Sequence, residues 1–104
     1  MSEIVATTYT VYPTGWTDDA AGRGGYFWCL RIEQRSAGRW VVTDGFDVYT
    51  SDGREDEPIP SSRTDEFKAR TRMSLDDAKA LALQLIDGRR INGRTFAEIL
   101  EATQ

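Results

Sequence analysis

The chain has 104 residues, 39% of them apolar and 29% charged, which fits one globular domain and falls short of two. It contains no histidine and a single cysteine, so imidazole acid–base chemistry, Cys/His zinc sites and an intrachain disulfide are excluded at the outset. A formal charge of −4 and a pI near 4.8 work against broad binding of nucleic-acid phosphates, because that affinity comes from cationic neutralisation.

The first residues, Met1-Ser2-Glu3-Ile4, lack the basic and apolar regions of a signal peptide, and no run approaches the ~20 apolar residues that span a bilayer. The expected location is the cytoplasm, with no membrane partner. Ile4 to Tyr12 reads as a strand, since Val5, Thr7, Tyr9 and Val11 alternate with their neighbours and β-branched or aromatic types dominate. Pro13-Thr14-Gly15 ends it, and Trp16 to Gly25 reads as a loop. Tyr26 to Glu33 is the most apolar strand. After a turn at Ser36-Ala37-Gly38, the segments Trp40–Thr43 and Phe46–Thr50 flank Asp44-Gly45, a pair suited to a two-residue hairpin turn. These four strands form an antiparallel meander within residues 4–50.

Residues 51–72 lose any apolar period and read as a surface excursion, with room for a short helical turn near Thr64 to Arg70. Ser74 is placed as the N-cap of a helix over about 75–87, whose apolar stripe is Leu75, Ala78, Leu81, Ala82, Leu85 and Ile86, with Gly88 at its end. Thr95-Phe96-Ala97-Glu98 opens a short helix over about 96–102. The expected fold is therefore α+β, a single domain over 1–104: a four-stranded antiparallel sheet with one long and one short C-terminal helix packed on one face.

Catalytic sets are absent from this reading. Gly22-Arg23-Gly24-Gly25 lacks the Lys-Ser/Thr ending of a phosphate loop and precedes a strand, so it reads as a hairpin loop. Asp52, Glu55, Asp56 and Glu57, followed by Asp65 and Glu66, match no EF-hand spacing and read as a solvated acidic segment, with no metal expected. Cys29 lies in an apolar strand without a base to activate it, and Ser61, Ser62 and Ser74 have only Lys68 or Lys79 as conceivable partners, with no motif behind the pairing. No enzyme activity and no cofactor are expected.

The expected binding surface is the sheet. Tyr26, Trp28, Leu30 and Ile32 share one face of their strand, and Phe27, Cys29, Arg31 and Glu33 the other. Four strands spread about 15–19 Å, whereas one helix is ~10 Å wide. Helices on one face leave Tyr12, Phe27, Cys29, Val41 (or Trp40, according to register) and Tyr49 uncovered unless residues 51–72 fold across them. An uncovered patch of this kind serves a homodimer or a host protein. The alternatives are single-stranded nucleic acid, with Arg63, Arg70, Arg72, Arg89 and Arg90 on phosphates beside stacking aromatics, and a ligand held at a dimer seam.

Trp40, Asp44-Gly45, Asp52-Gly53, Glu57-Pro58, the run Pro60 to Phe67, Arg72, Leu75-Asp76 and Ala78 together resemble a pattern in small accessory proteins of actinobacterial phages, a group without an assigned activity. The resemblance covers about the second and third quarters of the chain. It implies a phage or prophage origin, residence in the host cytoplasm and a role in binding a host or phage protein. The predominance of Arg over Lys, eleven to two, points in addition to a GC-rich coding genome.

Overall fold

The computed structural model describes residues 2–17 and 28–102. The fold is α+β, an open antiparallel sheet in the order β1-β2-β3-β4-β5 with three helices. The strands are β1 (Thr8–Val11), β2 (Leu30–Ser36), β3 (Arg39–Thr43), β4 (Asp47–Thr50) and β5 (Gly53–Asp56). The helices are α1 (Asp65–Thr71), α2 (Leu75–Ile86) and α3 (Phe96–Ala102).

The expected meander is present, with one strand more than expected. Chain reversal at Ser51-Asp52, where Gly53 takes φ +133°, pairs Thr50 with Gly53 and adds β5 to the edge. Gly-Arg-Glu-Asp has no apolar alternation, so this strand is made by its backbone ladder and not by a buried face. At the other edge β1 is shorter than predicted. Ile4 and Val5 lie exposed outside it.

The β3–β4 hairpin is displaced by one residue from the expected turn. Val42 faces Tyr49 and Thr43 faces Val48, and the Asp44 N–H donates to the Asp47 carbonyl at 3.3 Å, so Gly45 and Phe46 form the turn instead of Asp44 and Gly45. Gly45 supplies the positive φ of +101°. The Asp44 carboxylate fixes this choice, because its Oδ1 accepts the N–H groups of Phe46 and Asp47 at 2.9 and 2.8 Å.

The predicted long helix is found as α2. Ser74 Oγ accepts the Asp77 N–H at 3.1 Å, and Ala78, Ala82 and Ile86, four residues apart, are buried against Leu30, Ile32, Trp40 and Val42. Alanines at the contact bring the helix close to the sheet, leaving the larger stripe residues Leu75, Leu81 and Leu85 to close the margins. The Thr95 box also forms, with Thr95 Oγ1 accepting from Glu98 N and Glu98 Oε1 accepting from Thr95 N.

Instead of finishing the α2 side of the sheet, α3 closes an aromatic stack at its end. Trp16 and Trp28 lie 5.5 and 5.7 Å from the Phe96 ring, and Tyr12 lies 5.3 Å from Trp16. Gly15, at φ +86°, sits where any β-carbon would be 2.9 Å from Leu100. Asp87, past the end of α2, accepts both the N–H and the hydroxyl of Thr14, at 2.8 and 2.9 Å.

The excursion of residues 51–72 folds back over the rear of the sheet. Thr64 caps α1 by accepting the Phe67 N–H at 3.1 Å, and one turn later Thr71 Oγ1 donates to the Phe67 carbonyl at 2.8 Å. Phe67 then packs on Val41 and Val48, both fully buried. Met73 pairs with Trp40 through two backbone bonds of 2.7 and 2.9 Å, taking the side of β3 that β4 leaves after Thr50.

The expectation of an uncovered aromatic face is thereby corrected. Val41 is sealed under Phe67, and Cys29 is also buried, so neither can reach a partner. Tyr49 shares the α2 face with Trp40 and Val42. Tyr12, although exposed, belongs to the stack at the sheet end. Phe27, Tyr26 and the Gly22–Gly25 loop lie outside the described residues.

Candidate functional site

Two constellations of charge and aromatic surface stand out, one on each side of the sheet. The first is built by the β3–β4 turn and the α2–α3 connection. Because the Asp44 carboxylate binds the turn backbone, Phe46 is held outward at the tip and is 73% exposed. Beside it opens a groove of about 480 Å³ lined by Asp44, Tyr49, Arg54, Arg89, Arg90 and Ile91.

A polar relay forms one wall. Arg89 Nη1 donates to Tyr49 Oη at 2.7 Å, and Tyr49 donates onward to Asp44 Oδ2 at 2.9 Å. The Arg89 guanidinium also lies 5.6 Å from the Tyr49 ring centre. Burial alone would raise the Asp44 carboxyl, but the Asp47 and Phe46 N–H groups, the Tyr49 hydroxyl and the Arg89 charge outweigh it and hold it below the usual carboxylate range. Burial and donation to Asp44 push the Tyr49 phenol up. The shifts favour the ionised Asp44 carboxylate and the neutral Tyr49 phenol, and the hydrogen bonds fix the three side chains relative to one another.

The other wall is cationic. Arg90, 60% exposed at its side chain, is tethered to the Gly93 carbonyl at 3.0 Å and to Glu98 at 3.3 Å. Arg54 reaches from β5 to Asp47 on β4 at 3.3 Å. The turn through Asn92 and Gly93, with φ of 53° and 81°, brings Ile91 and Arg94 together and sets Ile91 at the groove.

The second constellation is an ion network between β2 and the segment leading into and out of α1. Glu57 accepts a two-pronged contact from Arg35, Nε to Oε2 at 3.0 Å and Nη2 to Oε1 at 2.6 Å. Arg72 and Arg63 approach the same Oε2 at 3.2 and 3.6 Å. Arg35 also meets Glu33 at 2.7 Å, which in turn holds Arg31 at 3.1 Å. Burial would raise Glu57, but Arg35 above all, then Arg63 and Arg72, keep its carboxyl below the ordinary range. Arg72 is pushed the other way, its charge disfavoured first by burial and then by Arg35 and Arg63, against the pull of Glu57.

The five arginines singled out from the sequence are thus dispersed. Arg63 and Arg72 meet at Glu57, Arg89 and Arg90 line the groove, and Arg70 is paired with Glu55 on the outer strand. Sequence reasoning missed Arg35 and read Glu57 as part of a solvated acidic segment, whereas its side chain is largely buried against Arg35, because β2 and the residues after β5 are brought together. It also missed Phe46 as an exposed residue; the signal available was the capacity of Asp44 to bind the N–H groups that follow it. The Cys29 thiol is pushed up by burial, partly offset by Arg89. Among the described residues no cluster of three or more acids or Cys is disposed to hold a metal ion, and no helix is long and apolar enough to cross a membrane. Comparison of the chain with protein-family models, with curated proteins and with solved structures finds no match.

Proposed function

We propose that this chain is a non-catalytic protein-binding module, acting as a phage or prophage accessory protein, and that it presents the Phe46 groove to a protein partner. The observation that carries this reading is a large aromatic side chain held 73% exposed by a hydrogen-bonded turn, beside a groove lined by Tyr49, Ile91 and three arginines. Interfaces concentrate their energy on aromatic and Arg anchors of this kind, and a rigid turn lowers the entropic cost of docking. With Arg54, Arg89 and Arg90 against Asp44, the groove fits an apolar side chain flanked by carboxylates. The buried, raised Cys29 thiol and the absence of histidine support a role without catalysis.

Affinity capture from host extract, followed by titration of the purified partner against wild type, Phe46→Ala and Arg90→Glu, tests this. Each substitution is expected to weaken binding by at least about tenfold, or ~1.4 kcal/mol. Equal affinity for all three chains defeats the proposal. Light scattering on the chain alone identifies a second copy as the occupant if Phe46→Ala dissolves a dimer.

A second reading, single-stranded nucleic acid, is favoured by the same pairing of Phe46 with Arg89 and Arg90, since a base can stack on the ring while phosphates meet the guanidiniums. Its mark is oligonucleotide binding that falls steeply with salt. The net charge of −4 places it behind the protein partner.

A further inference from the structure

On the opposite side of the sheet, we infer that the pocket between β2, β3 and α1 is a site for a small ligand bearing a diphosphate group. Its walls are Arg35, Arg39, Arg63, Lys68 and Arg72, with Ser36, and no carboxylate lines it. The volume is about 190 Å³, the liquid share of roughly six waters. A second pocket of about 400 Å³ adjoins it, sharing Arg39, Lys68 and Arg72 as lining and reaching Ser74 at the start of α2. A phosphoryl group is of a size for the smaller pocket, and the cations shared with the larger one can meet a second.

The charge balance favours an anionic ligand. Arg31, Arg35, Arg63 and Arg72 share only Glu33 and Glu57 in their ion pairs, leaving two positive charges in excess. Arg39 and Lys68 add two more, and among the described residues neither has an ion-pair partner. Arg72, whose side chain is 5% exposed, is a charge taken almost wholly out of water, a costly placement unless it is fully paired. All this sits in a chain of net charge −4.

The donors are also preset. Arg63 Nε is held by the Pro58 carbonyl at 2.8 Å, Arg72 Nη1 by Thr71 Oγ1 at 3.1 Å, and the Arg72 guanidinium lies 5.5 Å from the Phe67 ring centre. Glu57 keeps three like-charged groups together, and their remaining N–H groups are suited to an oxyanion, for which planar guanidiniums are well shaped. Since Arg35, Arg63 and Arg72 are ordered before binding, they lose little further entropy.

Isothermal titration at constant ionic strength with inorganic pyrophosphate, inorganic phosphate, sulfate and a short single-stranded DNA is the test. Pyrophosphate is expected to bind one to one and at least about tenfold more tightly than phosphate or sulfate. The double variant Arg39→Ala/Lys68→Ala removes no ion pair, so its unfolding midpoint is expected to match wild type while pyrophosphate affinity falls at least about tenfold. Absence of heat at millimolar pyrophosphate, wild-type affinity in the double variant, an equal response to sulfate, or binding of DNA alone each overturns the inference. Phe46→Ala, in contrast, is expected to leave the pyrophosphate isotherm unchanged, which separates this site from the groove.

Discussion

The two faces of the sheet are closed in different ways. On one, Leu30, Ile32, Trp40 and Val42 meet the alanines and Ile86 of α2 in a dry contact. On the other, a small apolar patch of Val41, Val48 and Phe67 sits beside the Arg–Glu network around Glu57. The first face is specified by a repeating pattern and needs no single residue. The second depends on one ring and one carboxylate, because the excursion brings few apolar side chains with it. Apolar closure tolerates exchange of similar volumes, whereas an ion network fails when one member is removed.

Substitutions rank along that contrast. Phe67→Ala removes the ring that pins α1 and is expected to cost about 4 kcal/mol, with hydrogen exchange rising across residues 60–72 before it rises in α2; uniform loss of protection would show that the two faces are not separable units. Glu57→Gln leaves three guanidiniums around a neutral amide and is expected to cost about 3 kcal/mol at pH 7 by denaturant titration. The sign of its pH dependence is set by the lowered folded pKa of Glu57. The carboxylate contributes fully above its unfolded value, about 4.3, and the contribution fades as pH falls through the lower folded value. Wild type and Glu57→Gln are therefore expected to converge in stability under acid conditions and to diverge on return to neutrality. Ser74→Ala, which uncaps α2, is expected to cost about 1 kcal/mol in a thermal or denaturant melt. Phe46→Ala is expected to change stability by no more than about 0.5 kcal/mol, so any loss of binding in that variant reads directly on the surface.

What was legible in the sequence follows the same division. Leu75 to Ile86 announces itself by helical spacing and a capping serine, and Thr95 to Glu98 by its box, because these signals are local. The β3–β4 hairpin is legible in kind but lies one residue along, since a side-chain acceptor on Asp44 outweighed the preference of Asp-Gly for the turn centre. The fifth strand left no trace in apolar alternation. The covering of the rear face by residues 51–72 stood in the sequence only as an alternative, for it rests on Phe67 as the one large apolar side chain of α1. The arginine network was visible only as scattered positive charge: Arg63 and Arg72 were flagged, but Arg35 lies far from both in sequence and is joined to them by sheet topology alone.

The double clasp between Thr14 and Asp87 spans 73 positions, and Trp16 and Trp28 both pack on Phe96. During synthesis, then, the hairpins have their partners to hand before the corner following β1, whose clasp waits for Asp87 and whose ring stack waits for Phe96. The corner is therefore the last part of the fold whose partners are all synthesised, and Trp16 and Trp28 sit where its closure on Phe96 changes the surroundings of the indoles.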